Sequence, residues 1–207
     1  MKRIGVATII VSLALALGLS GCGNSGSDKE SAKATPFNLS FCQGAIETEG
    51  TMPAEFKMYT KADEVAAATE AVEKDEEYNP EYKFKSSSSE YAIVSPDCSL
   101  EFSAISIGGD FASYKQSHDS DPAGAELYPI LKKDFQIDGR DAFIFKFENT
   151  EFIVGIDISD FSPIRCYNIQ VNVPEEKAFE STEEMIKYVE EDANFNAILD
   201  SLKITVK

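Results

Sequence analysis

Ser117, His118 and Asp119 set a nucleophile, a base and a carboxylate side by side. These are the groups of a serine hydrolase, but adjacent residues cannot line up hydroxyl, imidazole and carboxylate in series. His118 is the only histidine, and the polar run to Pro122 places it in an exposed loop. Asp119, Asp121 and Gly124 sketch the start of a calcium loop. Ala123 and Ile130 then stand where ligands belong, so the EF-hand pattern fails. Acid pairs recur at Asp75-Glu76-Glu77, Glu183-Glu184 and Glu190-Glu191-Asp192. With 36 carboxylates in the chain, two at glycosidase separation arise by chance, and no tryptophan offers a sugar platform. Ser86 to Ser89 has no base nearby, and Gly108-Gly109 reads as a turn. No Walker A, G-x-G-x-x-G or H-E-x-x-H pattern occurs. The expectation is therefore no catalytic set, no metal ligands and no bound cofactor.

The cysteines are more specific. Cys22 ends Leu19-Ser20-Gly21-Cys22, behind Lys2, Arg3 and an apolar run from Ile4 to Leu19. That run of 16 residues falls short of the roughly 20 that span a bilayer comfortably, and its small and aliphatic composition suits a cleaved export signal. The L-S-G-C ending resembles the lipobox of bacterial lipoproteins. The resemblance implies a diacylglyceryl thioether on Cys22, palmitate-type acyl chains, and a leader over 1–21 removed ahead of that residue. An ordinary secretory signal and an uncleaved anchor are the alternatives. Each buried methylene contributes about 0.8 kcal/mol and two chains suffice for stable attachment, so the implied location is extracytoplasmic, on a cell membrane or envelope. Residues 22–36 carry no large apolar side chain until the domain begins at 37. They read as a flexible tether reaching on the order of 20 Å.

Three thiols remain, Cys42, Cys98 and Cys166, with no C-x-x-C spacing. Outside the cytoplasm one disulfide and one free thiol fit this odd number. Strand parity puts Cys98 with Leu100 and Phe102, and sets Cys42 and Cys166 opposite the apolar faces of their strands. A Cys42–Cys166 bridge is the favoured pairing, with three reduced thiols as the alternative. Lys2 and Arg3 leave with the leader, so the 19 basic residues of the full chain fall to about 17 against 36 acidic ones. Such a chain is repelled by phosphate backbones and anionic headgroups. Nucleic acid is excluded as a partner.

Residues 37–207 suffice for one domain with its own core. Phe37, Leu39 and Phe41 alternate as in a strand. Gly44 and the acidic stretch to Gly50 read as a turn or hairpin, and Glu55 to Thr60 as another strand. Thr60 to Asp63 resembles a capping box, and Ala62, Val65, Ala66, Thr69 and Val72 behind it form the packing face of a helix. Tyr78 to Lys85 suits an edge or loop. Tyr91 to Val94 and Cys98 to Phe102 flank a Ser95-Pro96-Asp97 turn, and Phe111 and Tyr114 mark a short helix. From Asp138 onward three segments alternate: Ala142–Phe147, Phe152–Ile158 and Cys166–Val173. They predict an antiparallel sheet covered on one side, with the polar face of the third strand open to water or a partner. Ser181 to Glu184 is a second capping box. A helical stripe from Met185 to Leu202, recapped at Asp192, precedes a closing strand. The fold class is α+β, an antiparallel sheet with this helical segment laid over its aromatic face.

The order of meander, late helix and closing strand over Gly139–Phe147, Cys166–Val173 and Phe195–Ile204 resembles PsbP-like and DcrB-like domains. That resemblance implies a three-layer α/β/α sandwich and a binding or accessory role, with no shared catalytic residues. Three functions are carried forward. The first is a non-enzymatic binding or assembly domain for an envelope protein. The second is a small-ligand or cation-binding lipoprotein serving a transporter. The third is an envelope hydrolase using unrecognised carboxylates.

Overall fold

The computed structural model describes residues 34–104, 110–120, 122–161 and 166–207. The expected leader, Cys22 with its expected lipid, most of the expected tether, Gly108-Gly109 and Asp121 lie outside them. The described residues make an α+β fold.

Phe37, Leu39 and Phe41 point inward along β1 (Thr35–Phe41), which starts two residues ahead of the expected boundary. A tight turn at Cys42, Gln43 and Gly44, all at positive φ, leads into β2 (Ile46–Met52). Of the two readings of Gly44 and the acidic stretch, the hairpin is the one formed: β2 pairs antiparallel with β1. Ile46 and Thr48 face in, so the intervening Glu47 and Glu49 need not be buried. β3 (Lys57–Thr60) runs directly into α1 (Lys61–Lys74), whose first turn is capped by the Thr60 hydroxyl accepting from the Asp63 amide at 3.1 Å. β4 (Tyr91–Val94) and β5 (Ser99–Ala104) form the expected hairpin. Then come α2 (Phe111–Asp119), α3 (Pro122–Leu127), β6 (Ile130–Ile137), β7 (Arg140–Glu148), β8 (Glu151–Asp157) and β9 (Cys166–Asn172). α4 (Thr182–Glu191), α5 (Ala193–Ser201) and β10 (Lys203–Val206) follow.

The strands form two sheets. β1-β2-β10 is a small one, and β3-β4-β5-β9-β8-β7-β6 a large antiparallel one. The three strands predicted from Asp138 onward are adjacent at its heart, as β7, β8 and β9. One face carries Leu100, Phe102, Ile144, Phe152, Val154, Tyr167, Ile169 and Val171 into the main core. The small sheet covers it with Phe37, Leu39 and Phe41, and α4–α5 with Met185, Val189, Phe195, Ile198 and Leu199. Each such side chain contributes about 1.5–3 kcal/mol when fully buried. Asp192 separates the two helices as expected. Its amide donates to the Tyr188 carbonyl and its carboxylate accepts from the Phe195 amide at 2.7 Å.

The opposite face is covered as well. α2 lays Phe111 and Tyr114 over Phe143, Phe145 and Cys166. The aromatic pair Phe143 and Phe145 therefore packs under α2, not under the C-terminal helices as expected. Alternation along β7 sends Ala142 and Ile144 to one side and the two rings to the other. The layer beside the small sheet holds strands as well as α4 and α5, so the three layers are not a plain α/β/α stack. α1 also differs from expectation. Ala62, Val65, Ala66, Thr69 and Val72 are all exposed, and the side turned toward the fold carries Lys61, Glu64, Ala68 and Ala71. Lys61 makes the difference: its ammonium lies 4.9 Å from the centre of the Phe84 ring, a cation–π contact that fixes the helix by its polar side.

Candidate functional site

β9 carries polar residues on the face expected to be open to water or a partner, β5 sets others beside them, and the structure buries both sets. Ser99, Glu101 and Ser103 on β5 and Asn168 and Asn172 on β9 are all buried, with Gln170 half-buried. Register sets them in rows. Ser99, Asn172 and Glu151 are aligned across β5, β9 and β8, and Glu101, Gln170 and Ile153 form the next row. The expectation of a water-exposed face fails because the segment after α1 folds back over it.

Glu101 organises that cover. It is fully buried. Its Oε1 accepts from the Tyr82 hydroxyl at 2.5 Å and the Lys85 amide at 2.7 Å, and its Oε2 accepts from the Ser86 amide at 3.0 Å. A buried carboxylate is tolerated only when such donors replace its water. The Tyr82 ring is stacked on Tyr59 and meets Phe84 edge-on, each at 5.3 Å. The Tyr82 hydroxyl is pushed well above its usual range, mainly by burial and next by Glu101.

Glu151 has a different environment. Burial pushes its carboxyl up to about 7, with Glu148 adding to the effect and Glu101 to a lesser extent. A hydrogen bond from Gln170 and the charge of Lys85 oppose it. Gln170 Nε2 also donates to Asn172 Oδ1 at 3.4 Å, while the Asn172 and Asn168 amide nitrogens have no partner among the described residues. At this end of the face a cavity of about 170 Å³ is lined by Tyr82, Lys85, Cys98, Ser99, Asn172 and Pro174, among others.

Larger clefts lie elsewhere, two of them beside helices. One of about 610 Å³ runs beside α2 and includes Asp110, Asp119, Asp141 and Asp157. Each of these acids already has a partner: the Ser113 amide, Lys133, Gln136 and the Ser159 amide respectively. The other, of about 540 Å³, follows α4 past Phe179 and Tyr188. Among the described residues no three His, Cys, Asp or Glu side chains are grouped to hold a metal ion.

The residues marked in the sequence fall apart in space. The Ser117 hydroxyl donates to the Tyr114 carbonyl at 2.7 Å, and Asp119 pairs with Lys133 at 3.1 Å. His118 is buried on α2 and not in an exposed loop. Its ring stacks on Phe145 with centroids 4.0 Å apart, and Nδ1 lies 3.3 Å from the Tyr128 carbonyl. Burial holds its pKa below the usual histidine value, against a smaller opposing pull from that carbonyl. Cys42, Cys98 and Cys166 are all free thiols. The expected Cys42–Cys166 bridge is not formed, because Cys42 is exposed in the turn of the small sheet while Cys166 is buried under α2. The Cys166 thiol donates to Asn168 Oδ1 at 3.2 Å and is pushed up to about 12 by burial. Of the acid pairs, Asp75 caps the end of α1 in a left-handed conformation, and Glu184 accepts from the Glu180 amide at 2.8 Å. Glu101, Tyr82, Glu151 and Asn172 were not singled out from sequence. The available signal was Glu101 itself, a lone charge between Leu100 and Phe102 in an otherwise uncharged strand.

Several large apolar side chains are exposed, among them Leu127 and Met58. Val65 and Val72 on α1 are 57% and 79% exposed. Phe147, stacked on Tyr128, stands at the far end of the large sheet.

No family model matches this chain, and no curated protein matches it. Among solved structures, the Saccharomyces cerevisiae Ran-binding protein Mog1p is similar at 12% identity with a TM-score of 0.33, over 83% of this chain and 96% of that one.

Proposed function

We propose that this chain is a non-catalytic binding domain, held to an extracytoplasmic membrane surface by lipid on Cys22, that docks another protein of the envelope. The carrying observation is α1. Its Ala62–Val65–Ala66–Thr69–Val72 face repeats at helical spacing yet is exposed along its whole length. Exposed apolar residues scattered singly are ordinary, but a contiguous row marks an interaction site. The Leu19-Ser20-Gly21-Cys22 ending supports the anchor, and the polar residues that follow it support a tether long enough to orient the domain. No helix among the described residues is long and apolar enough to cross a membrane.

The other two readings have less support. A hydrolase working through carboxylates needs two of them unpartnered in one cleft. Asp110, Asp119, Asp141 and Asp157 line the α2 cleft, but each already holds a partner. Glu101 is closed by three donors, and Glu151 lines none of the clefts described above. A cation carrier needs acids free of partners, and the α2 cleft has none free among the four named.

The test has two parts. Mass spectrometry of the native protein should find a chain beginning at Cys22 with diacylglycerol on its sulfur. A bare thiol or a retained leader overturns the anchor. A photo-crosslinking residue at Val65 should give one discrete adduct in intact envelopes, while the same probe at the exposed Lys187 of α4 gives none. Equal labelling from both positions, or none from either, overturns docking through α1.

A further inference from the structure

The cavity at the end of the buried polar face is separate from the α1 surface. The side-chain acceptors around it are engaged. The Glu101 oxygens take three donors. Ser95 Oγ accepts from the Asp97 and Cys98 amides at 3.2 and 3.1 Å. The Tyr82 hydroxyl gives its proton to Glu101. What remains are donors. Lys85 is exposed and lines the wall, and its charge also acts on Glu151. Asn172 is 7% exposed, lines the cavity, and has an amide nitrogen without a partner among the described residues. Ser99 also lines the wall, with its hydroxyl given to the Tyr82 oxygen. The rest of the lining is apolar: Val94, Val173 and Pro174, with the Cys98 thiol.

A buried donor left unpaired is costly and marks a place where an acceptor belongs. The lining holds Lys85 and no carboxylate, so a cation would meet only like charge there. An anion would meet a charge-assisted hydrogen bond from Lys85, and the soft amide torsion of asparagine lets Asn172 turn its nitrogen to the same oxygen. The volume of about 170 Å³ equals that of about five or six waters, which bounds the enclosed part of a ligand to about six heavy atoms. Drug-sized molecules occupy pockets of about 300 Å³ and more. We propose that this cavity binds a small monocarboxylate, its oxygens on Lys85 and Asn172 and its short alkyl end against Val94, Val173 and Pro174.

A free short-chain acid and the C-terminal carboxylate of a peptide present the same chemistry. The test is a nuclear magnetic resonance titration of the full lipidated chain in detergent, with sodium butyrate and, at equal concentration, n-butanol. Butyrate should saturably shift the Asn172 side-chain amide and the Ser99 backbone amide at about millimolar concentration, and butanol should not. Lys85→Gln removes the charge at an exposed position and should weaken binding by about tenfold, the usual scale for losing one charge-assisted contact. An acetylated dipeptide with a free C terminus, compared with its amide, separates the two sources. Binding tighter than butyrate assigns the site to a chain end, and weaker binding assigns it to a free acid. Equal shifts with butyrate and butanol, no saturable shift with any carboxylate, or an unchanged affinity in Lys85→Gln overturns the proposal.

Discussion

Replacing Glu151 by glutamine should stabilise the protein at alkaline pH and leave it unchanged in acid. Burial, with Glu148 and Glu101, lifts this carboxyl from the ordinary 4.5 to about 7. Between those values the folded chain holds a proton that the unfolded chain has released. Stability therefore falls as pH rises through this window, and the penalty is complete above about 7. The raw gap corresponds to roughly 3 kcal/mol. Glu151 is half-buried, and solvent screening cuts the effect to roughly 1–2 kcal/mol. Glutamine keeps the shape and an acceptor for Gln170 but carries no charge. Urea denaturation of both proteins at pH 4.5, 6, 7 and 8 isolates the residue, because the repulsion among the remaining carboxylates is common to both. The stability difference should be near zero at the acid end and reach about 1–2 kcal/mol at pH 8, an increase in Tm of a few degrees. A difference that does not vary with pH, or a glutamine variant less stable at pH 8, refutes the assignment of Glu151 as a carboxyl strained by burial.

Other substitutions probe the cover of the large sheet. Glu101→Gln should cost about 1–3 kcal/mol, because an NH₂ group must then face the Ser86 or Lys85 amide, and limited proteolysis should cut first between Tyr78 and Ser89. Gly155→Ala would set a methyl 2.9 Å from the Phe143 ring, which Phe111 and Tyr114 press from the other side at 5.5 and 5.4 Å. The expected loss is about 1–3 kcal/mol by urea denaturation, and a neutral result would mean the ring has room to move. A thiol reagent should label Cys42 quickly in the folded protein, and Cys98 and Cys166 only on unfolding, since both are buried and protonated. Fast labelling of either would refute that placement. His118 should titrate below 6.5 by nuclear magnetic resonance. Its contribution to stability is complete above 6.5 and lost as pH falls, so His118→Phe should flatten that part of the acid profile.

What the sequence made legible was local. Period-two alternation located β7, β8 and β9, and serine and aspartate caps located α4 and α5, because these signals lie within a few residues of each other. β6 escaped notice because Lys132, Lys133 and Asp134 interrupt its alternation. The structure shows why: the strand changes register against β7 twice, and Asp134 adopts φ 59°, so side chains there do not follow the period of a regular strand. The wrong face of α1 was chosen because alanine and valine spacing was read as burial, while the helix is held by Lys61 over a ring that comes 23 residues later in the chain. The polar face of β9 was read as open for the same reason. Asn168, Gln170 and Asn172 look solvated until Tyr82, Lys85 and Glu101 are brought across from distant segments. Hydroxyls and amides carry no periodic sign of which long-range partner will enclose them. The three thiols shared this limit: strand parity placed Cys98 and Cys166 on the correct faces but could not tell that Cys42 belongs to another layer.

β10 completes the small sheet by pairing with β2 across more than 150 positions of chain, and the Lys207 ammonium meets Glu47 at 2.6 Å. The first hairpin consequently has only one strand beside β2 until the last strand arrives. A two-stranded ribbon of this kind is marginal alone, and joining segments so far apart is entropically slow. In a polypeptide made N-terminus first, the opening hairpin therefore lacks its second neighbour until the tail is free, although the large sheet is complete by Asn172. Removal of Lys203–Lys207 is for that reason a more drastic lesion than its small size suggests.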